Sequence, residues 1–493
     1  MKLLSTKKIG VLLLTGLAAQ ASFAAQAADT AADQRESRSS EGVILIPKAP
    51  APNENSKLTA ALGDASYILR RVKSFDEFRH DISAAIRRRP ILLQQVARGE
   101  EAQDRVRREQ SILYPQLSTS LSGDYTLARR FASSTDNVVE SLRPRDRFTG
   151  GITASQLLFD GGATSQRIKS AKAYEREQAH TLVSQVNDLA LSAISAYYDL
   201  ALQQALDQFG QKFIARQKAL LNDVFERESL GAGSHADVIY MRAKIATFSA
   251  RVLQNHENMK LAEIKYGEFF DTETERLFLP LIQSTANPAH GEDLDKHDDP
   301  EIQAAIARSE QAQADFKAER ASRIPELRIK VDASGFDILD RNPDYDIRGG
   351  VDMQFDLFTG GARKAAIEKA RAFAQRQKFD EERIRQEVER DTAITFERRI
   401  VLAERLQSLA EAVIAEHAAR DLVIERFRIS RGDLRDVLQA ESDYFEAGEA
   451  YLTALAELDL VTYELMEHTG DLTRYFSPQT HELTQPFEAL APE

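Results

Sequence analysis

Two hydrophobic periods run along this chain, and each occurs twice. From Gln116 to Leu127 the residues alternate strictly. Leu117, Thr119, Leu121, Gly123, Tyr125 and Leu127 fall on one face, and Gln116, Ser118, Ser120, Ser122, Asp124 and Thr126 on the other. A period of two predicts a strand. Phe148 to Leu158 repeats the pattern, with Phe148, Ile152, Ala154 and Leu158 opposing Thr149, Thr153 and Ser155. A second pair lies further on. Leu327, Ile329, Val331 and Ala333 oppose Arg328, Lys330, Asp332 and Ser334. Ile347, Val351, Met353, Phe355 and Leu357 oppose Arg348, Asp352, Gln354 and Asp356. Each strand is close to the ~9–11 residues that cross a bilayer at a tilt.

The other period is helical. A helical pattern runs from about Phe75 to Leu113, ahead of the first strand. After Gly161-Gly162, the stretch Ala163 to Ser229 holds no Pro and one Gly. Its Leu182, Val186, Leu189, Ala193, Ala196 and Leu200 step as a heptad seam. Unbroken, it would be a helix of roughly 100 Å. A similar stretch runs from about Arg363 to Ile429, and both are interrupted, near Gly231/Gly233 and Gly432, before a further helix.

The two series are copies in register. Pro90 and Tyr114-Pro115-Gln116-Leu117 recur 210 positions later as Pro300 and Ile324-Pro325-Glu326-Leu327. Leu158-Phe159-Asp160-Gly161-Gly162-Ala163 recurs 199 positions later as Leu357-Phe358-Thr359-Gly360-Gly361-Ala362, and Asp237-Val238 as Asp436-Val437. The 11 residues between those offsets are expected in the first copy's strand-to-strand loop, about 128–147, against about 337–346 in the second. An internal duplication of this length predicts a pseudo-symmetric wall.

Composition narrows the classes. Without Cys there is no disulfide, thiolate metal site or N-terminal lipid attachment. The net charge of −13 leaves no basic excess for nucleic acid. Lys2, Lys7 and Lys8, the apolar Ile9–Ala19 and Ala25-Gln26-Ala27 read as a cleaved signal peptide. The rival, a membrane anchor, needs ~20 apolar residues. The expected organisation is a signal peptide at 1–27, a mostly disordered extension at 28–73 and a first repeat at 74–270. An insert at 271–299, a second repeat at 300–475 and a tail at 476–493 follow.

Four amphipathic strands cannot close a barrel, and lipid does not tolerate an open sheet edge. Three chains would supply twelve strands, enough for an aqueous interior where eight would be filled. The expected fold is therefore an α+β membrane protein. Long coiled-coil helices form a helical barrel, and four transmembrane strands per chain close a 12-stranded barrel as a trimer. Asp124, Arg328, Lys330, Asp332, Arg348, Asp352 and Asp356 are the expected lumen-facing residues. Tyr125, Phe148, Phe159, Tyr345 and Phe358 are candidates for the interfacial girdles. A soluble antiparallel sheet with one wet face gives the same alternation.

At this point the chain resembles a TolC-type outer-membrane factor over about residues 74 to 475. The carriers are Pro-x-Leu before the first strand of each copy, Leu-Phe-x-Gly-Gly after the second, and two turn motifs. Those turns are Gly231-Ala232-Gly233-Ser234-His235-Ala236-Asp237-Val238 and Asp436-Val437-Leu438-Gln439-Ala440-Glu441. The resemblance implies a homotrimer in outer-membrane lipid with a periplasmic helical tunnel. It also implies a periplasmic adaptor (membrane fusion) protein and an inner-membrane transporter as partners. Asp237 and Asp436 would sit at a periplasmic gate, with Arg428, Arg431 or Arg435 available to pair with Asp237. The bland alternative is that each Asp N-caps the following helix, and one Asp could do both. Gln439 stands where the best-known member of the family has a second acidic ring, Phe427 where its Tyr latches, and Gly432 where its Arg pairs.

No His-Glu-x-x-His, phosphate loop or Gly-x-Ser-x-Gly is present, so neither an enzyme nor a cofactor is expected. Glu292, Asp293, Asp295, Asp298 and Asp299 lack calcium-loop spacing and read as a solvated loop, so no metal is expected. The functional expectation is an exit duct of a tripartite export system, type I protein secretion being favoured over small-molecule efflux. The alternative is a periplasmic coiled-coil structural or adhesion protein.

Overall fold

The computed structural model describes residues 52–87, 89–128, 130, 146–270, 276–280, 282, 299–336, 338, 344–429, 431–468, 472 and 476. In chain order, α1 (Pro52–Leu62) leads into a 3-10 helix (Gly63–Leu69), α2 (Phe75–Arg87) and α3 (Pro90–Ser111). Then come β1 (Gln116–Tyr125), β2 (Asp146–Phe159), α4 (Ala163–Ser229) and α5 (His235–Phe269). The second half has α6 (Pro300–Ala321), β3 (Glu326–Phe336), β4 (Asp344–Gln354), α7 (Ala362–Arg428) and α8 (Leu434–His468). The protein is mostly helical with one small antiparallel sheet.

The halves match element by element. α3 and α6 each have 22 residues, α4 and α7 each 67, and α5 and α8 each 35. β1 starts 47 residues before α4 (116 to 163), and β3 starts 36 before α7 (326 to 362), a difference of 11. The extra residues thus lie between the strand starts and the long helices. Residues 131–145 of the loop lie outside the described residues.

The repeated Gly-Gly pair turns each hairpin into its helix. Gly161 and Gly162 have φ 66° and 87°, and Gly360 and Gly361 have 61° and 90°. That left-handed backbone strains any residue with a Cβ. A Cβ at Gly161 would also lie 2.7 Å from the Ile324 side chain. The variable residue of the motif, two positions before the N-cap glycine, offers an acceptor to the start of the helix. Asp160 accepts from the backbone N–H of Gly162 (3.0 Å) and of Thr164 (2.6 Å). Thr359 Oγ1 accepts from Arg363 N (3.3 Å).

The main core lies where the helices of both halves meet. Phe78, Tyr197, Tyr198, Tyr463 and Phe476 pack there, largely edge to face. Two expectations are corrected here. Residues 52–69 belong to the body instead of a disordered extension, because Leu58, Ala61, Leu62, Ala65 and Ile68 make an apolar stripe buried in this core. Phe476, assigned to the tail, is buried too. Residues 28–51 and 477–493 lie outside the described residues. The helix expected over 75–113 is two helices, and Pro90 starts the second at N1, where its missing N–H costs nothing.

Candidate functional site: a two-faced sheet and the hairpin tips

The strand order is β1-β2-β3-β4, all antiparallel, so β1 and β4 are edges. The register segregates side chains by face. Ser118, Thr153, Asp332 and Arg348 form one cross-strand row, and Thr119, Ile152, Ala333 and Ile347 the next. Arg328 pairs opposite Asp352, and Asp124 opposite Arg147. The polar face is charge-compensated. Thr153 donates to Asp332 (2.7 Å), Lys330 lies 3.6 Å from Asp332, and Arg348 donates to Asp346 (2.7 Å).

The opposite face is apolar and open. Leu117 and Leu121 are each 75% exposed, and Ile347, Val351 and Met353 are exposed beside them. Such a face costs free energy in water and little in hydrocarbon.

Two expected assignments change. β4 ends at Gln354, so Asp356 is off the strand and lies 3.6 Å from Arg363 at the start of α7. A bulge at Leu157/Phe159 sets Phe159 opposite Leu327, so Phe159 takes the apolar position expected of Leu158. One extra residue inverts every later side chain.

At the far end, the α4–α5 and α7–α8 turns share a small core. Leu220, Val224, Val238, Met241, Phe427, Leu434, Val437 and Leu438 are buried together. The repeated Asp-Val is thereby explained: each Val faces this core. Asp237 is the N3 partner of a capping box and not the N-cap. Ser234 Oγ accepts from Asp237 N (3.2 Å), and Asp237 Oδ2 accepts from Ser234 N (3.0 Å). Asp436 is exposed at the corresponding position, and Asp433 does the capping, accepting from Arg435 N at 3.0 Å.

None of the three candidate arginines pairs with Asp237. Arg428 donates to Asp223 of α4 (3.3 Å). Arg431 and Arg435 are exposed and make no ion pair among the described residues. Gln439 donates to Asp443 one turn on (2.8 Å). Arg227 also ties the hairpins together. Its guanidinium lies 4.2 Å over the Phe427 ring and donates to the Phe427 carbonyl, which has no i+4 amide partner at the end of α7. Arg227 and Arg428 thus cross the same interface in opposite directions.

Midway, a carboxyl group of unusual affinity lies where α4, α6 and α8 converge. Burial, then the charge of Asp188, push Glu467 up to about 8. Asp299, expected in a solvated loop, is instead the buried N-cap of α6, accepting from Glu301 N (2.8 Å) and Ile302 N (3.1 Å). A raised carboxyl holds its proton in the folded state and loses it when unfolded. Its stabilisation is therefore full below about pH 4.5 and is lost as pH rises toward 8. Thermal unfolding of Glu467→Gln should lose much of the wild-type decline between pH 5.5 and 8. The variant should become the more stable of the two proteins as pH rises toward 8. Parallel pH profiles for the two proteins would refute this.

The sequence pattern of the family described as "Outer membrane efflux protein" matches residues 82–265 and 296–471. Outer membrane efflux protein BepC of Brucella suis is 22% identical over 360 residues, covering 72% of this chain and 77% of that protein. Protein CyaE of Bordetella pertussis is 24% identical over 356 residues, covering 66% and 70%. The crystal structure of the outer membrane protein VceC from Vibrio cholerae superposes with a TM-score of 0.71 at 18% identity, covering 80% of this chain and 96% of that one. This chain belongs to the outer membrane efflux protein family, the TolC-like channels of the bacterial outer membrane whose helical body lies in the periplasm.

Proposed function

We propose that three copies of this chain close a twelve-stranded barrel and form the exit duct of a tripartite export system. One observation carries the reading: a sheet with one apolar and one polar face has two open edges, β1 and β4. A bilayer does not accept open edges. Pairing β1 of one copy with β4 of the next removes them all and leaves a lumen lined by Asp124, Arg328, Lys330, Asp332, Arg348 and Asp352. The long helices continue the conduit to the hairpin tips. A periplasmic adaptor and an inner-membrane transporter complete the path, as in the family. Native mass spectrometry should give a threefold mass; a monomer stably inserted in lipid would refute the assembly.

The tips are the gate in this reading. Asp436 is exposed there and would appear three times around the axis. Converging like charges in a narrow mouth attract cations and repel anions. Asp436→Asn should reduce cation preference and block by divalent cations in a trimer of unchanged stability. Unchanged selectivity and block would remove Asp436 from the gate.

For cargo, protein secretion of type I is the favoured reading. No Cys is available for a lipid anchor, and Arg426 to Arg431 resembles the secretion branch. Small-molecule efflux is the second reading, and the relative BepC is named an efflux protein. A deletion strain separates them: loss of a secreted protein supports the first, drug sensitivity alone the second.

A further inference from the structure

Residues 52–73 cross both helical hairpins. Arg71 pairs with Asp459 of α8 (2.8 Å) and donates to the Pro280 carbonyl (2.8 Å). Asp64 meets Lys212 of α4 at 2.9 Å. α1 then packs on α7, with Leu58, Ala61 and Leu62 buried in the shared core. Ala61 and Arg71 contact α8 at Tyr444 and Asp459, so the segment runs along 15 residues of α8 (444 to 459), roughly 22 Å.

On α8 its lower contact is one side chain, the buried Tyr444. The hydroxyl donates to the Ala61 carbonyl at 2.6 Å and lies 3.3 Å from Arg216 Nη2 of α4. Arg420 of α7 stacks 4.2 Å over the ring. One residue therefore joins α1, α4, α7 and α8. The packing around it is incompletely satisfied. Arg420 Nη1 and Glu441 Oε2 are buried with no hydrogen-bond partner. A partly satisfied polar layer weakens the packing it interrupts. At this level α8 is held to α4 by the rings of Phe209, Phe213 and Phe445, with these polar atoms set among them.

We propose that residues 52–73 are a staple that keeps the α7–α8 hairpin seated against α4 and the gate shut, with Tyr444 as its release point. This rests on the reading of the chain as a gated duct. A partner or cargo that moves α8 would break the Tyr444–Ala61 bond first, since a single hydroxyl carries it. Arg71–Asp459 would retain the segment meanwhile.

The test uses the full-length trimer in planar bilayers. Tyr444→Phe deletes the hydroxyl and keeps the ring. It should raise the open fraction at least threefold and speed amide exchange over residues 434–445 severalfold, with an intact trimer. Asp64→Lys sets like charge against Lys212 and should act in the same direction. The double reversal Asp64→Lys/Lys212→Asp should return the open fraction to near wild type. Gating and exchange equal to wild type in both single variants would overturn the staple while leaving the duct intact. Silence of every protein, wild type included, would overturn the duct and the staple with it.

Discussion

Replacing Arg71 by alanine is expected to destabilise each protomer by about 3–5 kcal/mol. The partner, Asp459, is only 4% exposed. Burial drives its carboxyl up, and Arg71 is the cation that offsets this. Without Arg71 the carboxylate must stay charged in a poor solvent or take a proton, and either costs free energy. The change also leaves the Pro280 carbonyl without its donor. Arg71→Met combined with Asp459→Leu should recover most of the loss, because the cost lies in the unpaired charge more than in the missing pair. Unfolding in detergent, followed through the double-mutant cycle, decides this. Additive losses would mean that the two residues do not share one site.

The second large effect concerns the sheet. Val331 lies at the middle of β3 on the apolar face, opposite Ala154 and Gly349. If that face meets lipid, arginine there sits near the bilayer midplane and costs about 2–4 kcal/mol per copy. Val331→Arg should therefore leave little barrel in the outer-membrane fraction. Its neighbour Lys330 points to the polar face, opposite Ser155. Lys330→Gln should insert like the wild type, with altered ion preference. The same yield for both variants would show that the sheet is not oriented by lipid.

The elements set by side-chain period were legible in the sequence. Alternation located all four strands, and the Pro-free stretch from Ala163 to Ser229 matches α4 in extent. Asp-Val was recognisable as a repeated turn mark, although Ser234-x-x-Asp237 already has the spacing of a capping box that names Ser234 as the cap. The stripe at Leu58, Ala61, Leu62, Ala65 and Ile68 was also present, masked by the neighbouring prolines and polar residues. Other features leave no trace in a pattern. A bulge is one residue in a backbone register, and the Leu157–Phe159 stretch reads as a continuous strand. Arg227 binds a backbone carbonyl, which every residue possesses, so no side chain marks its partner. Arg428 finds Asp223 across 205 positions, a pairing fixed by how two long helices lie together.

The central claim is that the assembled chain is a water-filled conduit, and single-channel recording of the purified wild-type protein in planar bilayers tests it most directly. Discrete, uniform conductance steps are the predicted result, with a cation preference that Asp436→Asn reduces. Trimers that insert into the bilayer and pass no ions at any voltage would contradict the account.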